Sequence, residues 1–316
     1  MVAPAAVRSD HGLRKALGSP FDERGRRAEE CPVTEQVLPS WNQGPARQAI
    51  LDHVRAATTP GAAFVEPADR IATFDNDGTL WVEQPLPPQF DFVFRAWGKE
   101  VKADPSLAER QPYKALVERD QGFFEGVATQ EPEVVATLLE AFARSWAGTP
   151  PAEFDAQVRE WTRTVRDPRF GVPYVELVYR PMLELFDLLR AHGFRVFVCS
   201  GGGRDFMRVF AEDTWGIPKE NVIGTAAAYT WTGGRIVRSP EFLGGLDLGP
   251  GKPEHIFAHT GRLPAFAGGN ADVDIEMLRA PRSRCSSATT TSGASTPTPR
   301  APRPRSPRPR NWAGRC

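Results

Sequence analysis

Apolar positions recur along this chain with two different periods, and each period marks a kind of element. Ile50, Leu51 and Val54 stand at helical spacing and predict a short amphipathic helix over 46–56. Ile71-Ala72-Thr73-Phe74 is a β-branched and aromatic run of the buried-strand type, and Phe194 to Cys199 is a second one. Between these strands the period is helical. Pro132 to Trp146 and Glu153 to Thr164 each carry an apolar stripe, within a block from Trp81 to Asp167 that is rich in Phe, Trp and Glu. Pro181 to His192 follows with Met182, Leu185, Leu188 and Leu189 on one face, and Gly193 is its natural stop. A third short strand is expected at Leu263 to Phe266 and a helix at Met277-Leu278.

The helical block lies between two strands of what reads as one sheet, so it is an inserted cap and not a repeat. The expected division is a mobile leader over 1–38, a core built from 39–80 and 168–280, a helical cap over 81–167, and an Arg/Pro-rich tail over 281–316. The aromatic residues of the cap, among them Phe90, Phe92, Phe94, Trp97, Phe123 and Phe124, read as helix packing and not as a cofactor box.

Polar residues gather where the strands end. After Phe74 come Asp75-Asn76-Asp77-Gly78-Thr79, two carboxylates one residue apart and a glycine that lets the chain turn sharply. Open α/β sheets place ligands at such strand ends, and two carboxylates there can share a metal or divide nucleophile and acid/base work. A solvated turn is the plain alternative. An EF-hand would need a further acidic ladder closed by Glu, and Trp81, Val82, Gln84 and Pro85 supply none. After Cys199 come Ser200-Gly201-Gly202-Gly203 and a helix from Arg204, an anion site in outline, although ligand-free turns of this kind are common. Gly251-Lys252-Pro253 precedes another helix. The third strand leads into Asn270, Asp272 and Asp274.

Length and composition bound the rest. At 316 residues and 41% apolar, the chain suffices for one large domain with an insert. Its formal charge of zero conceals an asymmetry. Of 39 Lys and Arg, 8 arginines fall from Pro281 onward where no Asp or Glu does, leaving 31 basic against 39 acidic side chains before it. The four cysteines, Cys31, Cys199, Cys285 and Cys316, have no CxxC spacing, so neither a zinc site nor a disulfide framework is indicated. No apolar run approaches the ~20 residues of a bilayer span, and Met1 to Glu30 lacks a signal-peptide core. A cytoplasmic protein without a membrane partner is the expectation.

An Asp-x-Asp-Gly-Thr loop, a Ser loop after a strand, a Lys, and a second acidic cluster after another strand come in a fixed order. In that order, over about residues 41 to 280, the chain resembles the haloacid dehalogenase (HAD) superfamily, and its phosphoserine-phosphatase-like branch in particular. The resemblance implies a Rossmann-like parallel sheet core with an inserted helical cap. It also implies a Mg²⁺-dependent phosphatase acting on a small phosphorylated metabolite. Asp75 would be the nucleophile that forms an aspartyl-phosphate, and Asp77 the acid/base. Thr79, Ser200, Gly201 and Lys252 would hold phosphoryl oxygens. Asp75, the Asp77 carbonyl and the cluster Asn270, Asp272 and Asp274 would serve the metal. The branch's metal-binding Asp aligns with Asn270, whose amide can ligate without bringing charge, and Asp272 or Asp274 would compensate; Asp274 capping the next helix is the alternative. Trp81 and Glu83 follow the first loop closely and are candidates to touch a leaving group. Dehalogenases of the superfamily lack the second Asp of the first motif, so Asp77 favours a phosphatase. A phosphomutase or other phosphotransferase would share the motifs.

The tail carries a reading from another class. Its alternating Arg and Pro, as in residues 300–310, could hold nucleic acid or an acidic partner by charge alone, with a solvated segment as the alternative. Superfamily members continue past the last motif with another strand and helix, whereas hydrophobic periodicity here stops near Leu278. A frameshift near Arg279 explains the composition as well, and an apolar alternation in another reading frame would reveal it.

Overall fold

A computed structural model of the protein describes residues 37–129, 131–280, 289–290 and 312–313. The expected leader lies outside them except for Val37 and Leu38, and so does the tail apart from β7 (Thr289–Thr290) and β8 (Trp312–Ala313), which pair antiparallel.

The chain begins with α1 (Pro45–Thr58) and β1 (Ile71–Phe74). Five helices follow: α2 (Pro88–Ala103), α3 (Tyr113–Glu118), α4 (Gln121–Ala128), α5 (Pro132–Ser145) and α6 (Pro151–Thr164). After them come α7 (Arg180–Ala191), β2 (Arg195–Gly203), α8 (Arg204–Arg208), α9 (Ala211–Trp215) and β3 (Val222–Thr225). The described fold closes with β4 (Ala227–Thr232), β5 (Arg235–Phe242), α10 (Gly251–Thr260), β6 (Phe266–Gly268) and α11 (Ile275–Arg279). Proline opens the first turn of α1, α2, α5, α6 and α7, where its fixed φ suits the helix and its missing N–H has no intrahelical partner to lose.

Four parallel strands form one sheet in the order β3-β2-β1-β6. Alternate residues of β1 divide between its two faces. Ala72 and Phe74 join a large cluster with Ile50, Leu185 and Leu189 from α1 and α7, while Ile71 joins Phe197, Ile256 and Met277 against α10 and α11. Helices therefore cover both faces, and all four strand ends point the same way. This is the α/β parallel-sheet class expected from the sequence.

Three details differ from the sequence expectations. β2 runs on through the glycines to Gly203, because extended glycine backbone keeps pairing with β3 across a bulge between Ser200 and Gly203. The third strand starts at Phe266, not Leu263; it is in register with β1 through Phe266, Ala267 and Gly268, the Ala265 N–H reaches Ile71 at 2.8 Å, and Pro264 just upstream has no N–H to carry the ladder further back. Not anticipated is the β4–β5 hairpin, whose turn is Gly233-Gly234 with φ of 55° and 75°, the left-handed pair that a tight hairpin turn demands. The hairpin is joined to the loop between α5 and α6 by main-chain bonds, Arg238 N–H to Thr149 (3.0 Å) and Gly148 N–H to Arg238 (2.8 Å). Its buried Arg238 pairs with Asp205 of α8 at 3.0 Å and lies over the Phe154 ring.

Candidate active site

The ends of β1, β2 and β6 bring most of the singled-out residues into one place. Asp75 prolongs β1 by one bond, its N–H donating to Gly268 of β6 at 2.9 Å. The chain then turns through Gly78 at φ +77°. A side chain there would be strained and would have no room, since a Cβ would stand 2.2 Å from Asn270 Nδ2 and 2.6 Å from Glu83 Cδ. Asp77 points elsewhere: its Oδ1 accepts from the Trp81 indole N–H at 2.8 Å. Trp81 is fully buried against Phe210 and Trp215, so it orients Asp77 and offers no face to a leaving group, contrary to its expected role.

Lys252 lies at the start of α10 with no exposed surface. Its ammonium donates to Asp75 Oδ1 (2.7 Å), Asp274 Oδ1 (2.6 Å) and the Cys199 carbonyl (3.0 Å). Those three acceptors use all of its hydrogens. Without a substrate, then, Lys252 is fully engaged by protein groups, and it places its charge beside Asp75. Asp274 is equally committed. Its Oδ2 accepts from the N–H groups of Asn270 and Ala271, both at 2.9 Å, so it folds the loop back on itself as well as facing Lys252. Asp272 is exposed.

The glycine loop faces Asp77: a Cβ on Gly202 would lie 3.3 Å from Ser200 Oγ and 3.8 Å from Asp77 Oδ2. Ser200 is buried and its Oγ accepts from the Gly202 N–H at 3.1 Å. Gly201 is backed by Leu248, which leaves no room for a Cβ. The Gly203 N–H is taken by Gln89 Oε1 at 2.7 Å, a side chain from the first turn of α2. Sequence reasoning missed Gln89. Its only signal is a lone amide two residues after Pro87, in a helix that follows the carboxylate loop.

Asn270 closes the other side. Thr79, buried and expected at phosphate, instead meets Asn270 through its hydroxyl at 3.0 Å. The inward atom of the Asn270 amide lies 3.2 Å from Asp75 Oδ2 and 3.0 Å from the Asp77 carbonyl oxygen. Among the described residues no three His, Cys, Asp or Glu side chains gather to hold a metal. The set that does converge is mixed, one carboxylate, one carbonyl and one amide. Its spacings suit a small octahedral cation, whose oxygens at about 2.0–2.1 Å stand roughly 2.9 Å from each other.

Comparison with known proteins decides the family. The haloacid dehalogenase-like hydrolase model matches residues 72–279, from β1 to α11. The chain belongs to that family. No match is found among curated proteins. Among solved structures this HAD hydrolase is similar to a protein of unknown function from Bordetella pertussis Tohama I (18% identity, 67% of this chain and 86% of that one, TM-score 0.45). It is similar also to the HAD family hydrolase t0658 from Salmonella enterica serovar Typhi (15%, 66% and 59%, TM-score 0.37). A third is a phosphoserine phosphohydrolase-like protein from Francisella tularensis (18%, 55% and 64%, TM-score 0.28).

The electrostatics of the HAD site are set by burial and by who sits beside whom. Burial pushes Asp75 up to about 7, with Lys252 opposing and Asp274 and Asp77 adding to the rise. Asp77 goes up to about 6, again chiefly through burial, against the Trp81 hydrogen bond and with the Glu83 charge adding. Burial alone would lower Lys252, but Asp75 and Asp274 outweigh it and hold the ammonium charged. Two neighbouring carboxyls thus differ in partner. One touches a fixed cation, and the other is held by neutral groups, the Trp81 indole N–H and the Asn76 side chain.

No helix among the described residues is long and apolar enough to cross a membrane.

Proposed function

We propose that this HAD hydrolase is a phosphatase that releases phosphate from a small phosphomonoester through an aspartyl-phosphate. The observation that carries the reading is the difference between the two carboxyls of one loop: Asp75 against Lys252, Asp77 facing the glycine loop and held by Trp81. Lys252 favours the ionised, nucleophilic form of Asp75. Asp77, raised by burial, can carry a proton near neutral pH.

The chemistry then divides as follows. The Asp75 carboxylate attacks phosphorus in line, the ester P–O bond breaks, and the Asp77 carboxyl gives its proton to the departing alkoxide. Asp77, now ionised, takes a proton from water; that water attacks phosphorus, and the acyl-phosphate P–O bond breaks to restore the Asp75 carboxylate and free phosphate. The Ser200 hydroxyl, whose oxygen is held by the Gly202 N–H, keeps its own hydrogen for a phosphoryl oxygen. Mg²⁺ fits at Asp75 Oδ2, the Asp77 carbonyl and the Asn270 amide oxygen, where it supplies neutralising charge for the phosphoryl group. The helical insert serves as the cap over this site, and its Gln89 bonds to the glycine loop.

The test is phosphate release from a panel of phosphorylated metabolites, with and without Mg²⁺. Turnover is expected only with the cation, and Asp75→Asn should lower it by on the order of 10⁴-fold or more. Substantial activity left in Asp75→Asn would remove the nucleophile from the scheme. Transfer of phosphate to an added alcohol in place of water would make the protein a phosphotransferase.

A further inference from the structure

The Asn270 amide fits its site two ways round. With the NH₂ inward its two hydrogens face Asp75 Oδ2 (3.2 Å) and the Asp77 carbonyl (3.0 Å), with Thr79 Oγ1 also at 3.0 Å. With the oxygen inward it accepts from Thr79 Oγ1 at 3.0 Å and turns Nδ2 toward Glu83 Oε1 at 3.4 Å. A cation among the inward oxygens requires the second arrangement, because the first aims two N–H bonds at it. In the cation-free protein, however, the two inward acceptors, Asp75 Oδ2 and the Asp77 carbonyl, favour the first, while the Thr79 hydroxyl can donate or accept and suits either.

Glu83 distinguishes the two. A carboxylate can only accept, so it attracts the amide nitrogen and repels the amide oxygen. The two side chains meet over Gly78, and the missing Cβ is what leaves them space: Nδ2 of Asn270 and both Cδ and Oε2 of Glu83 lie within 2.8 Å of where it would be. We propose that Glu83 is a positioning residue that holds the Asn270 amide with its oxygen toward Asp75 and Asp77, allowing a neutral amide to serve as cation ligand. This rests on the cation reading above. It also reassigns Glu83 from the leaving group, where the sequence pointed, to the metal ligand behind it.

Orientation matters for an amide and not for a carboxylate, whose two oxygens are equivalent. Binding of Mn²⁺, followed by electron paramagnetic resonance of the free ion, therefore separates orientation from charge when done in four proteins: wild type, Glu83→Ala, Asn270→Asp and the double variant. Glu83→Ala should weaken Mn²⁺ binding about tenfold or more with Asn270 in place. In the Asn270→Asp background the same change should cost less than about threefold. Glu83→Gln, the isosteric variant, should show the same pattern with a smaller loss, since its amide oxygen can still accept, and thermal unfolding of each variant reports that it is folded. Equal losses in both backgrounds would mean that Glu83 acts through its charge alone and would overturn the proposal, as would no loss in either. A wild-type protein that binds no Mn²⁺ would bring down the cation reading itself, a different failure from the other two.

Discussion

At the ends of β1, β2 and β6 the chain gathers charges, and in α2 to α6 it gathers rings. The first region depends on a few polar atoms at fixed distances: Lys252 holds two carboxylates and a carbonyl within 3.0 Å, and none of its surface is exposed. The second is built from aromatic contacts. Phe92 stacks on Trp146 at 5.3 Å, stands edge-on to Phe154, and meets Phe206 of α8, through which the insert packs on the sheet layer. Polar bonds there sit at the edges of the rings, such as the Trp161 indole to Asp91 and the Trp97 indole to Ser145. The difference follows from what each region has to do. Hydrogen-bonded ion pairs are directional and are weakened by water, so the strand ends depend on fixed partners; contacts between rings have no donor and acceptor to match, so one apolar side chain can replace another in the insert without disturbing the charges.

The sharpest test of this contrast is Lys252→Met. It leaves Asp75 and Asp274 buried without their cation, and unfolding free energy should fall by roughly 3–5 kcal/mol at pH 8. The loss should shrink as the pH is lowered and the carboxyls take up protons; a loss independent of pH would mean that packing, and not charge, is what Lys252 supplies. Phe92→Ala probes the other region. About 3 kcal/mol or more of stability should go with the cavity, while Mn²⁺ affinity of the folded protein stays the same. A change in Mn²⁺ binding would show that the insert and the charged site are one mechanical unit after all.

Asp77→Asn should have a smaller effect and a definite sign. Because folding raises the Asp77 carboxyl to about 6, the native state prefers it protonated. Its contribution is present below the unfolded value and is lost as pH rises through about 6. The variant should therefore stabilise the cation-free protein at pH 8 by up to roughly 3 kcal/mol and by little near pH 4, measured by urea unfolding at the two pH values. Gln89→Ala, which removes an insert side chain that bonds to the glycine loop, should shift KM several-fold for phosphomonoesters with large alcohols and leave Mn²⁺ binding alone. An equal shift for every ester would place Gln89 at the phosphoryl group and not at the leaving group.

Much of this was readable in the residues. β1 and the carboxylate loop are written within ten consecutive positions, and the helices at Pro132–Ser145, Pro151–Thr164 and Arg180–Ala191 follow their apolar spacing closely. The hairpin was missed although Gly233-Gly234 between β-branched and aromatic runs is a turn signal in itself. Gln89 was not readable as a site residue, and Trp81 was singled out for a leaving group and not for its bond to Asp77, because an amide and a tryptophan in an aromatic-rich stretch suit packing equally well.

What the sequence determined by itself is local: strands by alternation and β-branching, helices by period and proline starts, and a sharp turn at Gly78 that sets two carboxylates at a strand end. Tertiary structure alone decided the partners. Lys252 reaches Asp75 across 177 residues of sequence, and Thr79 reaches Asn270 across 191. Only closure of the sheet settles that Asp274 faces the lysine while Asn270 faces the carboxylate. A hydrogen bond forms or fails within a few tenths of an ångström, and no spacing along a chain carries that precision between segments so far apart.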